Sequence, residues 1–368
     1  MPDALPSIIV TGISGNLGRR LLPMLSGFRV VGVDFRPPET DSPLQFVQMD
    51  FSLESSCLEM IHLLREVRPV AVVHLAFVMD AVRTGILDRD RMWQVNVAGT
   101  ARVLEAVTEA NREWPMVEKF IFMSSVSAYG PGLSIPATEE TPLAAHTYTY
   151  GIHKMEADRV VQQRAPALRG CSVYILRPHI FAGASIDNYF MEAFRGIPGG
   201  ASKRAARMRR EGKRLPCMLP SGDKYLQNRV QFVHIDDVAR VLKFILEKNE
   251  PEGRRLTILN VAGRGGPLTY EQCVRLANAK LVRIPTEKFF ALILRFLWNI
   301  KLSTIPPDVA PYMTSDTVMD TSRFEEFLGT ERGAVLRFSV ADAFAECFRH
   351  ESRVEAAPFA KGLTRSPE

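Results

Sequence analysis

The chain has few of the features that would set it apart from an ordinary globular protein. Cysteine is scarce: 5 residues, an odd number at wide spacings, with no C-x-x-C. That pattern speaks against a disulfide framework and against a cysteine metal cage, and it fits reduced thiols; no metal is expected. Long apolar runs are missing. The longest, Phe289–Leu302, is interrupted by Arg295, Asn299 and Lys301 and falls short of the ~20 residues of a membrane span. Strand-like residues begin at Ser7, which leaves no room for a signal peptide, so a cytoplasmic location is expected. No segment repeats. Neither sign of charge dominates: 46 Lys+Arg against 41 Asp+Glu leave +5, too little to indicate nucleic acid unless gathered in a patch. With 46% apolar and 24% charged residues the chain is neither disordered nor collagenous. Its 368 residues suffice for about two domains, or one large domain with an annex.

What the sequence does have is alternation. Short β-branched runs at Ile8–Val10, Arg29–Asp34, Phe46–Asp50, Val70–Leu75, Lys119–Ser124 and Ser172–Arg177 read as strands. Amphipathic stretches between them read as helices, notably Ser55–Glu66, Arg91–Asn111 and Tyr150–Gln163. Strands that alternate with helices predict an α/β fold, a doubly wound parallel sheet. Residues 183–230 show few regular periods. Gln231–His234 and Leu256–Val261 then return as strands around a helix at Asp237–Glu247. The chain thus leaves the sheet, returns and leaves again. The expected division is a sheet domain of residues 1–180 plus 231–264, a small discontinuous lobe of 181–230 plus 265–350, and a frayed tail, 351–368.

The first strand runs into Thr11-Gly12-Ile13-Ser14-Gly15-Asn16-Leu17-Gly18. In a strand–turn–helix setting, Gly12 permits the tight turn, Gly15 lets backbone N–H groups approach a pyrophosphate, and Gly18 lets the helix pack on the strand. Asp34 ends the next strand, where a carboxylate can accept hydrogen bonds from both hydroxyls of an adenosine ribose. Arg36, two positions on, could attract a 2′-phosphate, so NAD is expected and NADP stays open. Asp50 reads either as an adenine contact or as a residue leading into a helix. His74, behind an apolar strand, reads as structural.

Tyr150 and Lys154 stand four apart on a helix and so share a face. A tyrosine with the ordinary pKa near 10 is too weak a base at neutral pH. A neighbouring ammonium is expected to lower it, so that it can exchange a proton with a substrate oxygen. Upstream, Ser124 and Ser125 leave a strand among clustered hydroxyls.

In combination these pieces resemble the extended short-chain dehydrogenase/reductases, the NAD-dependent epimerase/dehydratase type. The resemblance also takes in Asn96–Thr100, Leu176-Arg177-Pro178, Phe232–Ala239, Asp320–Arg323 and Leu328-Gly329. It implies a Rossmann sheet and an enzyme acting on a small molecule, in which a homodimer is usual. It also implies that Tyr150 is the general acid/base, that Lys154 holds the nicotinamide ribose, and that Ser125 bonds the reacting oxygen. Asn96 is catalytic in some branches and structural in others. The cofactor is expected against Gly12, Ser14, Gly15, Asn16, Leu17, Gly18, Asp34, Asp50, Phe51, Leu75, Ala76, Pro178, Tyr150 and Lys154.

The departures from the family pattern are informative. Sugar-nucleotide dehydratases carry an Asp-Glu pair where Val126 and Ser127 stand here. Ile180 and Val230 replace residues that usually grip a substrate diphosphate, although Arg229 or the basic run Lys203–Arg214 could compensate. The leading expectation is therefore hydride exchange with a hydroxyl or keto carbon of a small, apolar alcohol or ketone. A sugar-nucleotide epimerase and a non-catalytic NAD(P)-binding regulator are the alternatives. The basic run reads as a solvated face, with an anionic substrate or a lipid surface as lesser readings, and lacks the interleaved aromatics of a nucleic-acid site. Phe289–Leu302 reads as a core helix, with a pocket wall or a membrane-surface contact as lesser readings.

Overall fold

A computed structural model describes residues 5–38, 44–79, 88–113, 116–133, 135–249 and 256–349. The polar tail 351–368 lies outside the described residues. Among the described residues thirteen strands are formed in chain order: β1 (Ser7–Thr11), β2 (Arg29–Asp34), β3 (Gln45–Gln48), β4 (Ala71–His74), β5 (Lys119–Met123), β6 (Ser172–Pro178), β7 (Ile180–Ala182), β8 (Cys217–Pro220), β9 (Arg229–Val230), β10 (Phe232–His234), β11 (Leu256–Val261), β12 (Leu268–Thr269) and β13 (Leu281–Ile284). Seven make one sheet in the order β11-β6-β5-β4-β1-β2-β3, with every neighbouring pair parallel. This is the doubly wound Rossmann-like arrangement, and the order of strands reverses between β1 and β4.

The sheet is buried on both faces, and the middles of its central strands are apolar on both sides. Successive side chains point to opposite sides. Ile8, Val10, Ala71, Val73, Ile121 and Met123 face one core, with Leu17, Leu21, Val238 and Leu242 from the helices Asn16–Leu21 and Ile235–Glu247. Ile9, Val72, Phe120 and Phe122 face the other, with Met60, Leu64, Val103, Val107, Ala157 and Val161 from Ser56–Val67, Gly99–Glu113 and Thr149–Arg164. Each fully buried aliphatic side chain stabilises the fold by about 1.5–3 kcal/mol. The long helix expected from Arg91 is interrupted: Arg89–Trp93 passes through a π-turn, Gln94–Ala98, before Gly99–Glu113. β3 stops at Gln48, so Asp50 stands in the turn beyond it rather than at its end.

Residues 183–230 are more regular than their sequence suggests. They form the helices Tyr189–Arg195, Lys203–Arg210 and Asp223–Gln227, and the strand β8. Helices this short carry too few turns for an apolar period to show, and tertiary contacts hold them. β8 pairs with β13 in parallel, joining 217–220 to 281–284, while β7 pairs with β10 and β9 with β12. A small core of Tyr148, Ile284, Phe290, Leu294, Ile305 and Met313 fills this region. Among the described residues no helix is long and apolar enough to cross a membrane.

Candidate active site

The glycine turn sits at the carboxyl end of β1, at the reversal of strand order, where open α/β sheets bind ligands. Gly12 has φ +73°, and a Cβ there would lie 2.5 Å from the Ala76 nitrogen and 2.6 Å from the Leu75 carbonyl carbon. Leu75 and Ala76 therefore pack directly on the turn; the Ala76 N–H also donates to the Thr11 hydroxyl at 3.3 Å. A Cβ on Gly18 would meet the Ile13 oxygen at 2.4 Å, so the helix Asn16–Leu21, with Leu17 buried beneath it, needs glycine to lie close. Gly15 differs. It caps that helix with no side-chain partner for the free N–H groups, and a Cβ on it would meet only the Gly12 oxygen, at 3.1 Å. No acidic residue stands in the first turn of the helix. That cradle fits a pyrophosphate.

Asp34 lies beside it. Its carboxylate accepts from the Ser14 N–H at 3.0 Å and from the Phe35 N–H at 2.7 Å. Burial raises its pKa, with those backbone bonds and Arg36 acting in the opposite direction. Ser14 donates its hydroxyl to the Arg36 carbonyl at 2.6 Å, and Asn16 reaches the Ser185 carbonyl at 3.4 Å. The carboxylate of Asp50 is already engaged. It accepts from the Ser52 N–H and hydroxyl at 2.9 and 2.7 Å, and it pairs with Arg91 at 3.3 Å. Phe51 is buried edge-on to His74 at 6.1 Å. His74 is buried between the Thr11 hydroxyl (2.7 Å) and the Thr100 hydroxyl (3.1 Å), and burial lowers its pKa to about 3. A neutral imidazole with both nitrogens engaged is a structural one. Pro178 ends β6 in register with Val261.

The hydroxyl cluster comes from the turn after β5. Ser125 caps the short turn Val126–Tyr129 and accepts from the Ser127 N–H at 3.1 Å. Tyr150 stands close enough for Ser125 to favour its phenolate form. Ser124 donates to Asp158 at 2.6 Å, one turn beyond Lys154 on the same helix. Arg177, buried, clasps that carboxylate at 2.9 and 3.0 Å and donates to the Tyr129 hydroxyl at 2.9 Å. This ion pair ties the end of β6, the serine turn and the Tyr150 helix into one unit.

The expected electrostatics of the tyrosine–lysine pair need correcting. Burial pushes the Tyr150 phenol up to about 12, with Ser125 acting the other way. Burial also pulls the Lys154 ammonium well below its usual range, with Asp158 acting the other way. The ammonium nitrogen donates to the Met123 carbonyl at 2.6 Å and lies 3.4 Å from the Phe77 ring centre, but 5.8 Å from that of Tyr150. Desolvation outweighs the charge it would lend to the phenolate. Asn96, expected among the catalytic residues, has its amide committed elsewhere. It bonds the Val78 N–H and carbonyl at 2.6 and 3.0 Å and the His153 ring at 3.2 Å, which fixes the loop after β4 against the Tyr150 helix.

Sequence reasoning missed an aromatic surround. Phe77 stands edge-on to Tyr150 at 5.7 Å, and Tyr148 lies tilted against Tyr150 (5.6 Å) and edge-on to Tyr189 (6.3 Å) and Tyr312 (5.9 Å). Phe77 directly follows the Leu75-Ala76 pair and Tyr148 directly precedes the helix, so both stood beside recognised motifs. Tyr312 carries no local signal. Arg229, a candidate anion donor, is instead closed on Asp316 at 2.8 and 3.1 Å.

A model of the NAD dependent epimerase/dehydratase family matches residues 8–262. The chain belongs to that family of NAD-dependent enzymes. A UDP-glucose 4-epimerase of Erwinia amylovora is 28% identical over 205 residues, 52% of this chain and 58% of that protein. The chain spans about half the length of the curated relatives it matches. Among solved structures, the UDP-Glc/GlcNAc 4-epimerase of Campylobacter jejuni superposes with a TM-score of 0.64 at 18% identity, over 95% of this chain and 99% of that one. MoeE5 in complex with UDP-glucuronic acid and NAD gives 0.62 at 21% identity, over 95% and 99%. These structural likenesses establish the fold.

Proposed function

We propose that this protein holds NAD against the glycine turn and transfers a hydride to or from a carbon bearing a hydroxyl or keto oxygen, with Ser125 and Tyr150 bonding that oxygen. The observation that carries this reading is the convergence of the serine turn and the Tyr150 helix, which Ser124, Asp158 and Arg177 tie together, with Lys154 one turn on from Tyr150 and the glycine turn at the same sheet edge. NAD, when bound, supplies the hydride acceptor. Tyr150 is protonated at neutral pH and suited to donate to a developing alkoxide; to act as a base it requires a positive charge brought near it. Lys154 is placed to hold ribose hydroxyls, and Asn96 is a positioning residue. Asp34, which would repel a 2′-phosphate, favours NAD over NADP. The same reading assigns nucleotide binding to residues 1–180 plus 231–264 and substrate binding to 181–230 plus 265–350.

On substrate, the relatives reverse the order expected from sequence. A nucleotide sugar is the better-supported class, and epimerisation at a sugar carbinol the better-supported reaction, since the matched relative and both structural neighbours are named for such substrates or bound to them. A dehydratase is disfavoured, because Val126 and Ser127 offer no carboxyl beside Ser125 to protonate a leaving water. A second reading, oxidation of an apolar alcohol, draws on three features: Val230 is fully buried, Arg229 is closed on Asp316, and the surround of Tyr150 is aromatic. The deciding experiment incubates the NAD-loaded protein with UDP- and dTDP-sugars and with a panel of apolar alcohols. Epimerised sugar without net NADH supports the first reading. NADH accumulating only with the alcohols replaces it with the second, and no turnover of either by the wild type, with Tyr150→Phe indistinguishable from it, refutes both.

A further inference from the structure

The helix Glu287–Asn299 is apolar on two sides, and only one is covered. Phe290 and Leu294 are buried in the cluster around Tyr148. On the other side Phe289, Leu292 and Phe296 are 48%, 56% and 58% exposed. Their spacing of three and four residues lines them along one stripe. Lys288 and Arg295 are exposed on the same helix, and its one acid, Glu287, accepts a hydrogen bond from the Tyr225 hydroxyl at 2.7 Å. A soluble face does not ordinarily set out three large apolar side chains in a row.

The basic run adjoins this helix. The Ser202 N–H donates to the Lys301 carbonyl at 3.0 Å and the Gly200 N–H to the Leu302 carbonyl at 3.2 Å. The first turn of Lys203–Arg210 is therefore fixed to the carboxyl end of the apolar helix, and the exposed Ile197 lies on the segment leading to it. Lys203, Arg204, Arg207, Arg210, Lys213 and Arg214 are all exposed. The only acid in the run, Glu211, is shared by Arg207 and Lys213. Among the described residues no carboxylate pairs with Lys203, Arg204 or Arg210.

We propose that this surface docks the protein on an anionic lipid bilayer, with Phe289, Leu292 and Phe296 entering the interface and the basic helix lying on the headgroups. An apolar stripe joined to a cationic face is what such a surface selects. A second copy of the chain is the poorer occupant, because a two-fold contact would set this face, basic run included, against itself. The proposal goes beyond the enzymatic reading and does not depend on which substrate is turned over.

The test is co-sedimentation of the full chain with vesicles of phosphatidylcholine alone and with phosphatidylglycerol mixed in, at low and high salt. Binding is expected only to the anionic vesicles, and it weakens as salt rises. The triple variant Lys203→Gln, Arg204→Gln, Arg210→Gln should lose on the order of 10²-fold in affinity, about fivefold per cation. The triple variant Phe289→Ser, Leu292→Ser, Phe296→Ser should no longer pellet. All six positions are exposed, so both variants should keep the wild-type Tm and NAD affinity, which are measured alongside. A wild-type chain that stays in solution with anionic vesicles overturns the proposal, as does binding that survives either triple variant. If the apolar variant instead turns a dimer into a monomer with vesicle binding unchanged, a second copy covers the face and the proposal fails.

Discussion

Gly12 and Gly15 stand three residues apart in one turn, yet the structure assigns them different work, and alanine at each position separates the two. At Gly12 the backbone has φ +73°, which costs an L-residue about 1–2 kcal/mol. The added methyl would also press on backbone atoms of Leu75 and Ala76 at 2.5–2.6 Å, an overpacking of about 1–3 kcal/mol. Gly12→Ala should therefore lose roughly 2–5 kcal/mol, or roughly 3–6 °C in Tm for a chain of this size. At Gly15 φ is −70° and ψ 166°, ordinary for any residue, and the methyl meets only one oxygen at 3.1 Å. Its effect on apo stability should stay within about 0.5 kcal/mol. That methyl, however, stands at the mouth of the helix where an anion must approach. Losing one charge-assisted hydrogen bond to the pyrophosphate, about 1.5–3 kcal/mol, weakens NAD by roughly 10- to 10²-fold. Thermal unfolding of the apo proteins and calorimetric NAD titration read the two effects independently. A Gly15→Ala protein that binds NAD as tightly as wild type, or that loses as much Tm as Gly12→Ala, would refute the assignment of Gly15 to the phosphate cradle.

Three further outcomes are expected. Tyr150→Phe should keep NAD affinity within about threefold while turnover falls at least ~10²-fold, the usual scale for a lost general acid/base; near-normal turnover would remove Tyr150 from the chemistry. Asp34→Asn should narrow the preference for NAD over NADP by removing the charge that repels a 2′-phosphate, and titration of both cofactors showing an unchanged ratio would point to Arg36 instead. In the cofactor-free protein the difference in tyrosinate absorbance between wild type and Tyr150→Phe should emerge only near pH 12. Because a raised phenol pKa holds the proton in the folded state, its contribution to stability is present below the unfolded value near 10 and is lost above it; a titration near neutrality would contradict the burial argument.

What could be read from the sequence was what depends on neighbours in the chain. β4 and β5 announce themselves because a strand buried on both faces must be apolar throughout. The glycine turn is legible because most of its contacts are made by residues within a few positions or by the ends of the adjacent strands, the Asn16–Ser185 bond being the exception. Tyr150 and Lys154 are legible as a pair because helical spacing places them on one face. That same spacing could not give the sign of their pKa shifts. The sign depends on how much water Phe77, Met123 and the lobe exclude, and Lys154 turns to the Met123 carbonyl rather than to the phenol. The contacts that shape the substrate side join residues far apart in the sequence: Tyr312 donates to the Ser127 carbonyl at 3.0 Å, Arg229 closes on Asp316, and β13 pairs with β8. None of these leaves a local period or a motif. Under the proposed function, cofactor binding therefore reads out of short, contiguous motifs, whereas substrate choice depends on pairings within the lobe and between the lobe and the serine turn. Substitutions at Tyr312, Asp316 or the β8–β13 pair are accordingly the ones that should alter which molecule is turned over while leaving NAD binding in place.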